Sequence, residues 1–329
     1  MIGTTVHRTT SITRGATVRL HHVPVLRDRA VEYWATAGAH RLVDGTVGRA
    51  GHSLTLLGER DDVQLLAVDR DPEAVAFVER RFAGFGDRAR VIHGSYGDLE
   101  EHVAAWGGPV DGILLDLGVS SPQIDDPGRG FSTRHDAPLD FRFDPTRGEA
   151  ARDWLARVEL PDLVRVLRDY GDEPHPTAVA RAILAAREEG ALDTTGQLAT
   201  AIGRTAGRRR DPAAKAAARV FQAIRIHVNA ELAELDRLLA GLRGLLAPGG
   251  RIVIISFHSL EDRRVKRAFR EAARDCVCPP ELPACVCGGR SAWLDVITRR
   301  PITATDEEVA ANPRARSARM RVAERRGSA

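Results

Sequence analysis

The chain has 329 residues, of which 43% are hydrophobic, and a formal net charge of +3. It therefore carries enough apolar material for a full core, and its length fits one large domain or a domain with an insertion. No run of about eighteen apolar residues is present, and the opening stretch MIGTTVHRTTSITRG lacks the apolar segment of a secretory signal. We expect a soluble, cytoplasmic protein with no membrane partner. Lysine occurs only at Lys215 and Lys266, so nearly all positive charge is arginine. Arginine suits bidentate contacts with phosphate, although an arginine-biased proteome gives the same count. Two clusters are either solvated faces or nucleic-acid contacts: Arg208, Arg209 and Arg210, and the C-terminal Arg314, Arg316, Arg319, Arg321, Arg325 and Arg326.

Short apolar runs at residues 42–44, 64–69, 90–93 and 112–116 each end on an acidic or polar residue, with helix-like stretches between several of them. That rhythm predicts βαβ units and a parallel sheet. It stops after Asp116 for about a hundred residues, too long for a structureless loop. Residues 150–170, 177–189 and 194–205 read as helices, and we expect residues 124–215 to form an inserted helical subdomain between core segments 1–123 and 216–329. A long amphipathic helix follows, with Ile224, Val228, Leu232, Leu235, Leu239, Leu242 and Leu246 three or four apart, ending at Pro248, Gly249 and Gly250. The next residues, RIVIISF, read as a buried strand that resumes the sheet. Residues 291–298 and 315–322 look like strands that could complete its edge, taking part of the arginine-rich tail into the fold.

The segment LVDGTVGRAGHS, residues 42–53, places Gly45, Gly48 and Gly51 between a strand and a helix. Such a turn brings backbone N–H groups close to a ligand at the carboxyl ends of the strands. The spacing is not G-x-G-x-x-G, which weakens a dinucleotide reading. Asp69 ends the second strand, 24 positions beyond Gly45. A carboxylate there can accept from both ribose hydroxyls of a nucleoside cofactor, or can merely cap the helix that starts near Pro72. Tyr96 follows the third strand and Asp116 ends the fourth, so both should reach the same crevice. Tyr96 could cover an adenine or be a core or rim residue, and Asp116 could bind the cofactor or the target amine.

DGTVGRAGHS at residues 44–53, DLGVSSPQIDDPGRGFS at 116–132 and SFHSLEDRRVK at 256–266 go beyond a generic fold. With HVPVL at 22–26, FQAIRIHVN at 221–229 and NPRARSARMRVAE at 312–324, the chain resembles the ribosomal RNA small-subunit methyltransferase H family, also called MraW, in consistent order over residues 22–326. The resemblance implies a class I S-adenosylmethionine-dependent methyltransferase: an α/β, Rossmann-like, mostly parallel seven-stranded sheet with an inserted all-helical subdomain. It implies methylation of cytidine N4, at position 1402 in the usual numbering, in the 16S rRNA of the small ribosomal subunit. It places cofactor contacts on Ala50, Gly51, His52, Asp69, Tyr96, Asp116 and Gln123, and relatives suggest a homodimer. Three departures stand out: Ala50 where glycine is usual, Tyr96 where phenylalanine is common, and GDEPHPTAVARAI at 171–183 in place of a more basic and aromatic version.

The exocyclic amine of cytosine is a poor nucleophile because its lone pair is delocalised into the ring. Acceptors near the amine localise that pair, and a carboxylate can take the proton. Asp116 is the best candidate in the sequence, with Ser120, Ser121, His258 and Ser259 behind it; His258 could equally be a structural histidine. The base must be exposed or flipped out to be reached. Carbon-5 chemistry would need a cysteine nucleophile near the fourth strand, but the four cysteines lie at Cys276, Cys278, Cys285 and Cys287. Their C-V-C-x6-C-V-C pattern, around three prolines, either holds a structural zinc or stays as reduced thiols, and a catalytic metal is not expected. A non-catalytic RNA-binding assembly factor and a nicotinamide-dependent oxidoreductase are the competing functions, separable by which cofactor the protein binds.

Overall fold

The apolar runs pair into one seven-stranded sheet in the computed structural model, which describes residues 24–327 apart from 133–134, 207–211, 277, 279–281 and 283. The Arg208, Arg209 and Arg210 cluster, the first residues of the HVPVL motif and the prolines among the cysteines lie outside the described residues. β1 (Arg41–Asp44), β2 (Gln64–Asp69), β3 (Ala89–His93), β4 (Val110–Asp116) and β5 (Leu246–Ser256) pair in parallel. β7 (Arg319–Arg325) runs antiparallel between β5 and β6 (Leu294–Val296). The order is β3-β2-β1-β4-β5-β7-β6, so the direction of winding reverses between β1 and β4.

These strands read as continuous apolar runs because both faces of the sheet are covered. Leu42, Leu65, Leu114, Val253 and Ile255 pack on one face against α1 (Arg27–Trp34), α2 (Gly51–Glu59) and α3 (Pro72–Phe82). Their neighbours Val43, Leu66, Ile113, Leu115 and Ile254 point the other way, onto α4 (Leu99–Ala105), α11 (Glu231–Leu245) and α12 (Ser259–Ala272). A short α5 (Ser121–Asp125) follows β4, and α13 (Asp306–Ala311) precedes β7.

A separate buried cluster is built from α6 (Ala151–Arg157), α7 (Leu160–Gly171), α8 (Pro176–Glu188), α9 (Thr195–Ala206) and α10 (Ala213–Val228). It starts at Leu139 and Phe141, and its packing continues through Phe221 and Ile224 on α10. Two expectations fail here. The helix read over residues 150–170 breaks at Val158 and Glu159, because Pro161 stands in the first turn of α7, where its missing N–H costs nothing. The long helix read from Ile224 to Leu246 is two helices. Asn229 ends α10 and Ala230 turns into the left-handed region at φ 50° before α11 starts. The cause is tertiary: Asn229 is buried, its Nδ2 donates to Phe141 O (2.7 Å) and Arg225 O (2.9 Å), and its Oδ1 accepts from Phe143 N–H (2.7 Å).

The edge also differs in detail. Pro313–Ser317 is a 3₁₀ turn capped by Asn312, and the strand starts only at Arg319. The C-terminal arginines are largely engaged by the fold rather than gathered into a free cationic patch. Arg321 pairs with buried Asp262 (2.6 Å), Arg314 with Asp125 (2.9 Å) and Arg326 with Asp295 (2.9 Å), while Arg325 donates to Leu246 O.

Candidate active site

Ligands of doubly wound sheets bind outside the carboxyl ends of the strands where the winding reverses. Here that point is the gap between β1 and β4, and a cavity of about 530 Å³ opens there. The β1–α2 turn forms its floor. Gly45 N–H donates to Leu114 O (2.9 Å) and Val47 N–H to Val68 O (3.0 Å), tying the turn to the strands on either side. A Cβ on Gly51 would run into the Pro24 ring, so only glycine lets the chain ahead of α1 close over the helix start. Ala50, with φ 60°, takes the left-handed conformation that favours glycine, which is the physical content of its departure from the family pattern.

Asp69 enters from β2. Its Oδ2 accepts from Gly48 N–H (2.7 Å) and its Oδ1 from Asp71 N–H (2.9 Å), and burial pushes its carboxyl up to about 6. Asp71, not Asp69, caps α3, accepting from Glu73 N–H (3.0 Å). Asp71 is also a hub that sequence reasoning missed. Its Oδ2 accepts from Gln123 Nε2 (2.8 Å) and from the buried Arg129 guanidinium (2.9 Å). Gln123 Oε1 in turn accepts from Ser120 N–H (2.9 Å), fixing the start of α5. Opposite charge at Asp71 and Arg129, three residues after another acid run in DDPGRG, is the only trace of this in the sequence.

Asp116 ends β4 with its N–H on Thr46 Oγ1 (2.6 Å). Its Oδ1 is buried with no hydrogen-bond partner among the described residues. Burial, then the nearby acids Asp44 and Glu261, push its carboxyl up to about 8. Asp44, not singled out as a site residue, is itself buried and held by Ser53 Oγ (2.5 Å), and burial pushes it up to about 7. Tyr96 closes one side: its ring lines the cavity and its hydroxyl donates to Glu231 O (3.1 Å), which accounts for tyrosine where phenylalanine is common. Phe143, from the connection into the helical layer, also lines the cavity, beside Arg70.

Gly51, His52, Asp69, Tyr96, Asp116, Ser120, Ser121 and Gln123 thus all line one cavity. His52 also hydrogen-bonds Val25 O (3.0 Å), and burial lowers its ring to about 4, so it stays neutral while pinning the chain before α1. Ala50, His258 and Ser259 do not line it. Ala50 N–H is taken by Val47 O (2.6 Å), and Ser259 Oγ lies 3.3 Å from Asp172 of the helical layer. His258 Nε2 sits 3.2 Å from the buried Glu261 Oε1. Burial alone would raise Glu261, but the His258 ring, Phe257 N–H and Arg225 outweigh it and hold the carboxyl below its usual range. Arg225 is itself paired with buried Glu231 (2.8 Å).

Strand order, the single reversed strand β7 and an acid-lined crevice at the β1–β4 switch make this a class I S-adenosylmethionine-dependent methyltransferase. Residues 19–326 match the model of the MraW methylase family. Proteins called ribosomal RNA small subunit methyltransferase H are similar over most of their length. That of Citrifermentans bemidjiense is 46% identical over 308 residues, covering 93% of this chain and 98% of the relative. That of Burkholderia cenocepacia is 48% identical over 316 residues, covering 93% and 98%, and that of Nitratidesulfovibrio vulgaris 45% over 312 residues, covering 92% and 95%. The chain belongs to the MraW methylase family.

Proposed function

We propose that the chain methylates N4 of a cytidine in 16S rRNA, acting on the small ribosomal subunit in the cytoplasm. The observation that carries this reading is Asp116 at the end of β4, a buried carboxylate with an unpartnered Oδ1, on the lining of a cavity whose other residues suit a nucleoside cofactor. The cofactor fits the residues present. Asp69 offers a carboxylate already oriented by Gly48 N–H to accept from ribose hydroxyls, and Tyr96 offers an aromatic face for an adenine. The glycine turn lets backbone approach closely, with Gly51, His52 and Gln123 completing the lining. When bound, S-adenosylmethionine supplies a methyl group already activated on a sulfonium.

The chain's own work is to hold and deprotonate the amine. The Asp116 carboxylate accepts a hydrogen bond from the cytosine amino group, drawing its lone pair out of the ring, and then takes the proton. Burial and the neighbouring acids push its carboxyl up to about 8, which makes it a competent base once ionised. Ser120 and Ser121 line the same cavity to hold the base, and Phe143 supplies a face for a flipped-out pyrimidine. His258 and Ser259 act from outside the lining, the first by fixing Glu261, the second by tying α12 to the helical layer. We assign RNA recognition to the inserted helical unit, residues 124–215 together with α10 that completes its core, and expect the homodimer suggested by relatives.

Incubation with radiolabelled S-adenosylmethionine and unmodified small subunits, followed by digestion and chromatography, tests the reaction. Label in N4-methylcytidine, lost in folded Asp116→Asn, is the expected result. Label in another nucleoside, or none despite demonstrated cofactor binding and a working control enzyme, would overturn it. Light scattering of the purified protein tests the dimer.

A further inference from the structure

The four cysteines stand apart from the crevice. α12 leaves the carboxyl end of β5 and runs 14 residues, about 21 Å at 1.5 Å per residue, so the segment carrying them lies toward the amino ends of the parallel strands, away from the crevice. The base of that segment is fastened to the core. Trp293 N–H donates to Ala272 O (3.0 Å) and Ser291 N–H to Asp275 O (3.0 Å), and Arg326 pairs with both Asp275 (3.2 Å) and Asp295 (2.9 Å). Beyond this base there is little to bury: Val286 is 77% exposed and Leu282 43%. Among the described residues of the tip, these two large apolar side chains are exposed rather than packed.

What converges there is sulfur. The Sγ atoms of Cys276, Cys278, Cys285 and Cys287 all lie within 4.8 Å of one another. Three of the separations are 3.6 Å (Cys276–Cys285), 3.5 Å (Cys285–Cys287) and 3.8 Å (Cys276–Cys287). A disulfide requires about 2.05 Å, so these sulfurs are not bonded to each other. Four thiolates at about 2.3 Å from one zinc ion form a tetrahedron with edges of about 3.8 Å, and none can be further apart than about 4.6 Å. The separations match that figure. An iron–sulfur cluster spreads its cysteines over different iron atoms and does not suit so tight a set. The C-x-C spacing is tighter than usual for zinc, and the fold makes use of it: Val286 N–H points at Cys278 Sγ (3.3 Å), the kind of donor that stabilises a metal-bound thiolate.

We propose that Cys276, Cys278, Cys285 and Cys287 bind one structural zinc ion that clamps the segment between α12 and β6. All four ligands come from the protein, which closes the site to catalysis. Its distance from Asp116 makes its effect one on stability rather than on the reaction.

The test uses the full chain purified without chelators. Elemental analysis should find one zinc per chain, and X-ray absorption at the zinc edge should show four sulfur neighbours. Stripping the ion with a chromogenic chelator should lower the melting temperature in step with zinc released. Cys285→Ser should lose the metal and melt several degrees lower, with S-adenosylmethionine affinity unchanged within about twofold. A chain free of zinc, with four titratable thiols or with paired disulfides, would overturn the proposal, as would iron in place of zinc or an oxygen-containing shell. If Cys285→Ser does not fold, metal content and absorption of the unmutated chain decide the matter alone.

Discussion

The sheet core and the helical layer above it are held together by different forces. The core is a stack of strands buried on both faces, with Leu42 and Val43, or Ile254 and Ile255, serving opposite sides in turn. Apolar burial of this kind is strong but non-directional. The helical layer has its own apolar cluster, yet it meets the crevice through directional, buried polar ties. These are Asn229 to Phe141 and Phe143, Arg129 to Asp71, Asp144 to His93 (3.0 Å), and Arg70 to Asn229 O (2.7 Å). On the function proposed above, the difference lets one crevice serve two tasks. The core provides the rigid strand ends that carry Asp69 and Asp116, and the polar ties set how Phe143 and the layer behind it are presented to them.

Changes that strike one region and spare the other would break this division. The largest effect belongs to the strand end. Asp116→Asn should slow methyl transfer by about 10²- to 10⁴-fold, the usual contribution of a positioned base, with far-ultraviolet circular dichroism unchanged. In the unmutated enzyme the rate should rise with pH through an apparent pKa at or below about 8, since burial, then Asp44 and Glu261, raise it and a bound sulfonium cation lowers it. The sign for stability is opposite. Asp116 gains its proton on folding, so the ligand-free protein should lose stability relative to Asp116→Asn as pH climbs from 3.8 towards about 8. Denaturant midpoints of the two proteins across that range would show it, and parallel curves would count against the raised pKa.

Next in size is the joint. Asn229→Ala strands Phe143 N–H and Phe141 O in a buried setting, which should cost about 3 kcal/mol. Proteolysis should then clip the helical layer before the sheet, while S-adenosylmethionine still binds. Uniform destabilisation of both would erase the distinction drawn here. Asp69→Asn acts on the cofactor side alone: we expect a Kd for S-adenosylmethionine raised about tenfold by calorimetry, corresponding to about 1.4 kcal/mol, with RNA binding intact. The smallest effect is Tyr96→Phe, which removes one hydrogen bond to Glu231 O and should cost about 1 kcal/mol in stability with little change in affinity.

Much of the core was legible before any coordinates, because strand runs, glycine turns and the acids that follow them are signals within a few residues of one another. The split at Val158 is encoded locally too, in Pro161 at the first turn of α7. The split at Asn229 is not, because the three-to-four spacing of apolar residues continues from Ile224 through Val228 and Leu232. Only partners such as Phe141, 88 positions away, turn the chain there.

By itself the sequence determined the α/β class, the β1–α2 turn, and the positions of Asp69, Tyr96 and Asp116 at strand ends, since local pattern dictates local conformation. Tertiary structure alone decided that Asp71 is the helix cap and hub, that the C-terminal arginines are spent on partners within the fold, that Asn229 joins the two regions, and that four cysteines converge on one point. Those outcomes depend on hydrogen bonds and charge pairs between residues far apart in the chain, whose geometry no short-range pattern encodes.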